Sequence, residues 1–461
     1  MRYLCLIVLI LITGCAPLVE ETPPINIPGS YRNAPRSTEA PRVSSRWWKD
    51  FNDPVLDRLV DETLRNNHDI RLAAERVLEA RADLGVSRAG LFPTVNLQAD
   101  ITRQRQSYPG PQGITSSSTT ATTISPAAVA SYELDLWGKL SSSERASFQR
   151  LVSSEENRRT VIQTVVADLA SLYFEMIGLQ RKIGLLHTRI ENNKKTLEII
   201  KRRYRRGLSS YLDLLQARSR LSETEARLPV LERQARDLSQ RISIIAGRYP
   251  GYIKTDPARD YISKLKPVAV GLPSELLLRR PDLREKEAQM DALFEELKAA
   301  RARRFPQISL TGSYGWVSDE LRGLFRPESL LWRLSAGVLQ PLFDAGKLRS
   351  SEEAALSRYR QRVIAYAKTV LQAFYEVESA LMKRQRLREE RGHLLELLKE
   401  VQRTYRVSLS RYQRGLVDLL RVLELERQLF QARERLIDVE TAILTNRVFL
   451  YRALGGTWEE G

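Results

Sequence analysis

The chain is 461 residues long, and its 73 Lys and Arg against 56 Asp and Glu give a formal charge of +17, with only 3 His, 2 Cys and 4 Met. His68, His187 and His393 stand far apart, and there is no nucleophile elbow, phosphate-cradling loop or metal-ligand spacing, so the residues support no catalysis, no metal site and no cofactor. Most Arg and Lys alternate with Glu along helical stretches, as in Arg433-Glu434-Arg435, which reads as solvated helix faces and argues against nucleic acid as a partner.

At the N-terminus Arg2 precedes an apolar run from Tyr3 to Ile12, too short to span a bilayer but the size of a secretory h-region. Ile12-Thr13-Gly14-Cys15 closes the run and resembles a bacterial lipobox, so residues 1–14 are expected to be a signal peptide and Cys15 the site of lipidation. Cys5 would leave with the signal, which rules out a disulfide in the mature chain, and the loss of Arg2 alone lowers the charge from +17 to +16. Acyl chains contribute about 0.8 kcal/mol per buried methylene, enough for several chains to hold a protein at a membrane without a spanning helix. No other long apolar run occurs, so a membrane crossing would have to be made by strands. Residues 15–46, rich in Pro, Ser, Thr and Asn, read as an extended tether.

The first structural repeat is expected over 47–247. Val95, Leu97, Ala99 and Ile101 alternate with polar residues, as do Ala128, Ala130, Tyr132, Leu134 and Leu136, which predicts strands at about 94–104 and 126–137 with an exposed Ser/Thr/Gly-rich connection between them. Then Val165, Leu169, Leu172, Met176, Leu179, Ile183, Leu186 and Ile190 recur in steps of three and four, a coiled-coil seam. If the helix is continuous from 139 to 206, it is a rod on the order of 100 Å long. A further helix, about 208–246, contains Pro229, which should bend it or change its packing.

Residues 248–273 are expected to be an insertion between the repeats, and a second repeat is expected over 274–448, with strands at about 307–317 and 331–342 and a C-terminal helix carrying Val422, Leu425, Leu429, Ala432, Leu436, Val439 and Ile443 on one seam. The duplication is literal: Tyr204-Arg-Arg-Gly207-Leu208 returns as Tyr412-Gln-Arg-Gly415-Leu416, and Gly138-Lys139-Leu140 as Gly346-Lys347-Leu348, both 208 residues on (412 − 204, 346 − 138). Phe92-Pro93 returns as Phe305-Pro306 at an offset of 213 (305 − 92), placing a five-residue change in the loop between the first two strands. Aromatic residues gather near the strand ends (Tyr108, Trp137, Trp316, Phe325, Trp332), as at the two edges of a bilayer. Four strands cannot close a membrane barrel, and an open edge in hydrocarbon costs several kcal/mol per unpaired group, so the chain is expected to oligomerise.

Four motifs carry a family resemblance: Trp47-Trp48-Lys49-Asp50-Phe51-Asn52-Asp53-Pro54, the run from Gly271-Leu-Pro273 to Arg279-Arg280-Pro281-Asp282-Leu283-Arg284, Gln340-Pro341-Leu342-Phe343-Asp344-Ala345-Gly346-Lys347, and Ala453-Leu454-Gly455-Gly456-Thr457-Trp458. With these the chain resembles the TolC-like outer membrane factor family, in its branch of NodT-type outer-membrane efflux lipoproteins. The resemblance implies a mainly α fold with transmembrane β: long antiparallel coiled-coil helices in a periplasmic α-barrel, and four strands per chain completing a twelve-stranded outer-membrane barrel in a homotrimer. It implies a passive exit duct in a tripartite efflux system, partnered by a periplasmic adaptor (membrane fusion) protein, an inner-membrane pump and outer-membrane lipids. Residues 248–273 and 449–461 would form an equatorial belt with the N-terminal region.

The same resemblance places Gly207 and Gly415 at periplasmic helix tips, where positive φ suits glycine, and makes Tyr204, Arg206, Leu208, Tyr412, Arg414 and Leu416 candidate adaptor contacts. It places a periplasmic gate just after the second tip, at Asp418, Arg421 and Glu424. Arg421, where relatives often carry an acidic or neutral residue, is expected to pair with Glu424 or with an acidic group on a neighbouring helix. A lipid-anchored periplasmic coiled-coil adaptor or spacer without a pore would explain the heptads equally well, but not the paired amphipathic strands at matching positions of both repeats.

Overall fold

The structure is a computed structural model that describes residues 21, 25–33, 46–109, 116–263, 265–268, 270–271 and 273–456. The expected signal peptide, the lipidation site Cys15 and residues 457–461 lie outside the described residues. A short 3-10 turn, Trp47–Phe51, precedes α1 (Pro54–Asn66), α2 (His68–Ala89), β1 (Thr94–Pro109), β2 (Ser116–Leu134), α3 (Lys139–Arg205) and α4 (Tyr211–Ile245). There follow α5 (Pro273–Arg279), α6 (Pro281–Ala302), β3 (Gln307–Trp316), β4 (Leu330–Leu339), α7 (Lys347–Gln413) and α8 (Leu419–Ala453).

The duplication holds for the three longer pairs of helices: α2 and α6 have 22 residues each, α3 and α7 have 67, and α4 and α8 have 35, whereas α1 has 13 and α5 has 7. The strands differ, with 16 and 19 residues in the first copy against 10 and 10 in the second. β2 begins at Ser116, well before the expected 126, and β1 runs on to Pro109, so most of the anticipated loop is hairpin. The physical reason is visible in the pairing: Gln106↔Thr119 and Arg105↔Thr120 are β-competent polar pairs with no apolar face, so the alternation that marks the membrane part of the strand is absent there. α4 passes through Pro229 as one helix, and α8 continues to Ala453, past the expected boundary at 448.

The chain forms two compact units. One comprises Val77–Ser154 and Lys286–Tyr366 with the described part of Met1–Pro24. Its four strands form one antiparallel sheet in the order β1-β2-β3-β4. The register aligns Val95, Ala130, Gly312 and Leu334 in one row and Leu97, Ala128, Tyr314 and Trp332 in the next, all on the same face. The opposite face carries Asn96, Val129, Ser313 and Arg333 in one row. The first of these faces is uncovered at the outer strands: Leu97 is 86% exposed and Leu334 78%. Trp316 meets Phe325 edge-on at 5.3 Å, whereas the Tyr108 side chain lies outside the described residues.

Below the sheet, Val77, Leu84 and Leu151 pack together in the first copy and Met290, Leu297 and Tyr359 in the second. These are the same positions by the offsets of 213 and 208 (290 − 77, 297 − 84, 359 − 151). The two copies are joined by Arg145 to Glu295 at 2.8 Å, by Arg150 to Glu296, and by Trp137, which stacks on Phe305 at 5.0 Å and donates to the Pro306 carbonyl at 2.8 Å.

The other unit comprises Ile25–Arg76, Glu155–Glu285 and the chain from Ala367. Its core is aromatic: Trp47 stacks on Tyr451 at 5.2 Å and Phe51 meets Phe174 at 4.6 Å. Buried Asp53 caps α1 through Val55 N at 2.8 Å and accepts hydroxyls from Tyr173 and Tyr261 at 2.6 and 2.5 Å, so the Trp-Trp…Asp-Pro motif serves this core. The Arg-Pro-Asp motif does likewise, since buried Arg280 binds Asp282, Glu376 and the Ala453 carbonyl. The segment 25–33, read as tether, is held: Tyr31 is buried, and Arg32 and Asn33 hydrogen-bond Glu378. One stretch of α3 is long and apolar enough to cross a bilayer, contrary to the expectation of no second apolar run. Its residues are mostly buried, among them Val166, Leu169, Tyr173, Phe174 and Ile177, a face wider than a seam and the mark of a core helix.

Candidate functional site at the helix tips

α3 and α7 each end on a glycine in the left-handed region, Gly207 at φ +69° and Gly415 at φ +77°. In both, the glycine N–H returns to the Tyr carbonyl (Tyr204 or Tyr412) at 2.9 Å, and the next N–H (Leu208 or Leu416) returns to Arg203 or Arg411 at 2.9 Å. This closes the helix carbonyls and turns the chain within a few residues. The following helices start on side-chain caps. At the first tip Ser210 accepts from Asp213 N at 3.0 Å while Asp213 accepts from Ser210 N at 2.9 Å, a reciprocal capping box. At the second, Asp418 accepts from Arg421 N at 2.8 Å, and Arg421 stands where Asp213 stands in the first copy (421 − 208), so nothing returns the favour.

The candidate contacts separate. Tyr204 is 42% exposed and lies 5.9 Å from Tyr211, with Leu208 and Leu212 exposed nearby in sequence, and Leu416 is exposed at the second tip. Arg206 and Arg414 are exposed as well. Tyr412 is a correction: it is only 9% exposed, packed with Leu197, Ile200, Leu214, Leu419 and Val422, and the Arg203 guanidinium sits 5.1 Å over its ring. It is a core residue of the tip and no contact surface. Arg203 escaped sequence reading, although a basic residue in the last turn of a helix was the available signal.

The candidate gate residues are also rearranged. Glu424 does not pair with Arg421; it binds Arg427 through two hydrogen bonds at 2.9 and 2.5 Å and Gln428 at 3.0 Å. Those bonds from Arg427 and then Gln428 pull its carboxyl down to about 2. The Asp418 carboxylate is occupied by its own helix, which leaves Arg421 exposed without a side-chain bond among the described residues. A second group, unforeseen from sequence, lies deeper: Glu426 on α8 is buried, its carboxyl raised by burial against the pull of Arg189 and Arg220. Arg220 donates to the Leu423 carbonyl at 2.8 Å and Arg189 lies 5.3 Å over Phe430.

Comparison with known proteins decides the family. The model of the outer membrane efflux protein family matches residues 59–248 and 272–456, one segment per repeat. The chain belongs to the outer membrane efflux protein family. It is 30% identical to the pyoverdine export outer membrane protein OpmQ of Pseudomonas putida, over 99% of this chain and 98% of that protein. It is 33% identical to the solvent efflux pump outer membrane protein SrpC of Pseudomonas putida, over 88% and 86% of the two. Among solved structures, the outer-membrane channel OprN superposes with a TM-score of 0.89 at 26% identity, covering 96% of this chain and all of that one. This outer membrane efflux protein is therefore the channel component of an efflux system, and a spacer without a pore is set aside. Its two halves each supply one glycine tip, and in the family's terms these are the ends of its long helices.

Proposed function

We propose that three copies of this chain close one twelve-stranded barrel in the outer membrane and one helical barrel in the periplasm, forming a passive duct for substrates delivered by an inner-membrane pump through a periplasmic adaptor. The observation that carries this reading is the four-stranded sheet with an uncovered apolar face and free outer edges on β1 and β4. Lipid satisfies the face, and neighbouring copies satisfy the edges. Cys15, acylated after signal cleavage, anchors the chain in the same membrane. Relatives named for pyoverdine export and for solvent efflux share this scaffold, which fits a duct whose cargo is chosen by the pump.

The tips dock the adaptor through exposed Tyr204, Arg206, Leu208, Arg414 and Leu416. The gate lies at Asp418, Arg421 and Glu424, with Arg421 as its free charge. At position 421 the second copy gives up the capping box that its sister keeps, and such breaches of local rules concentrate at functional sites. Heat-modifiable migration of detergent-extracted membranes, followed by conductance in planar bilayers, tests the proposal. Migration as a monomer only and absence of conductance would overturn it.

A further inference from the structure

On β1 the side chains of Val95, Leu97, Ala99 and Ile101 form one edge of the apolar face of the sheet, and by the alternation of a strand the same face continues into Arg103 and Arg105. A tilted strand crosses the hydrocarbon of a bilayer in about 9 to 11 residues. Counted from Thr94, Arg103 is the tenth residue and Arg105 the twelfth (103 − 93, 105 − 93), so the two guanidinium groups flank the end of the crossing. The second hairpin marks the same boundary: Ile101 pairs with Ile124, Ile124 bridges to Ser318, and Trp316, two residues earlier, meets Phe325 edge-on at 5.3 Å. β1 leaves α2 at Thr94 and β2 leads into α3 after Leu134, so this is the end of the hairpin that points away from the helices. Both arginines are exposed, and every other side chain on their face of the four strands is neutral. The acids of the sheet, Asp100 and Glu133, lie on the opposite face, where Asp100 accepts from Gln98 at 2.8 Å. Arg105 reaches across the hairpin and donates to the Ser118 hydroxyl at 2.8 Å, while Arg103 has no side-chain bond among the described residues. Thr120 and Thr122, paired with Arg105 and Arg103, add hydroxyls to the same face.

We propose that Arg103 and Arg105, with the hydroxyls of Ser118, Thr120 and Thr122, bind the headgroup of a phosphorylated glycolipid in the outer leaflet. This site rests on the outer-membrane reading above and names the lipid that the first hairpin holds. The apolar stripe commits this face to acyl chains, so the headgroup above those chains meets the arginines. Two cations on alternate residues, with no acid beside them, select a headgroup with more than one negative charge, whereas a zwitterionic phospholipid brings an ammonium group into the same patch. Guanidinium forks take phosphate oxygens in pairs, and the hydroxyls around them suit a sugar. An arginine facing lipid is costly at the bilayer midplane and nearly free at the interface, which fits the place of both residues on the strand. The second hairpin has no such site. β3 and β4, at 10 residues each, stop at Trp316 and Leu330 and carry no charge on this face, so the extra length of β1 and β2 is what brings the arginines to the headgroups.

The test uses the full-length oligomer, purified in detergent, stripped of lipid and titrated with diphosphoryl lipid A in mixed micelles. Arg103→Gln with Arg105→Gln is expected to weaken binding about tenfold, while Arg333→Gln, on the opposite face of the sheet, leaves it within about twofold of wild type. A double variant that binds as wild type, or an Arg333→Gln variant that loses as much, overturns the site. Phosphatidylglycerol binding as tightly as lipid A overturns the glycolipid assignment, and displacement of the lipid by millimolar inorganic phosphate moves the site to a free anion and overturns it as well. Heat-modifiable migration and conductance of the double variant are expected to match wild type, which separates lost lipid from lost fold. If the double variant forms no oligomer, the single variants carry the test: each is expected to weaken binding about threefold, and singles equal to wild type overturn the site. Unchanged lipid binding in a variant that still conducts removes this site alone, whereas a wild type that neither oligomerises nor conducts removes the outer-membrane reading beneath it.

Discussion

The two helix tips are built from the same ten or so positions and do different things with them. The first is self-sufficient: its helix is capped reciprocally by Ser210 and Asp213, and its tyrosine, Tyr204, faces outward. The second has a single cap, an arginine at the position of the missing partner, and a tyrosine turned into the core under Arg203. Duplication therefore preserved the turn and released the side chains around it. The first tip is organised as a rigid surface, and the second as a place where charge is left free.

The largest effect that separates the tips is packing. Tyr412→Ala empties a position in the cluster of Leu197, Ile200, Leu214 and Val422 and should cost about 3 to 5 kcal/mol, read as earlier thermal dissociation of the purified protein. Tyr204→Ala should leave that transition nearly unmoved and instead weaken cross-linking to an adaptor; equal destabilisation by the two would erase the distinction. Next comes capping. Asp213→Ala should cost about 1 kcal/mol at the first tip, whereas Arg421→Glu, which supplies the acid of a capping box after Asp418, should protect the amides of 418–421 from hydrogen exchange.

The smallest effect is electrostatic. Glu424 has its carboxyl lowered in the folded protein, so its contribution is complete above the ordinary carboxylate value of about 4.3 and fades as pH falls toward about 2. The hydrogen-exchange protection factors at the start of α8, taken relative to the intrinsic rate at each pH, should fall over that window in the wild type, and Glu424→Gln should remove this component of the fall. A dependence centred near neutrality would contradict the Glu424–Arg427 pairing.

Much of this architecture could be read from residues alone. Steps of three and four gave long helices, period two gave four strands, and glycine after Tyr-x-Arg marked both turns. What stayed hidden has physical causes. The upper part of the β1–β2 hairpin has Ser and Thr on both faces, so no alternation reveals it. Tyr204 and Tyr412 occupy the same motif, and only the Leu and Val residues that surround them in three dimensions decide which one is buried. Arg421 and Arg427 both lie three residues from Glu424, an ambiguity that sequence spacing cannot break. The contacts of Asp53 and Arg280 show the opposite case, in which motifs that are conspicuous in sequence turn out to hold the core together.

The most direct test of the channel and its gate is single-channel conductance of the purified oligomer in planar bilayers, with the wild type beside Arg421→Ala combined with Glu424→Ala. The expected result is small or infrequent openings in the wild type and clearly larger conductance in the double variant, at the same oligomeric state by heat-modifiable migration. Equal conductance in the two would remove the gate from the second tip, and absence of conductance in both would contradict the channel itself.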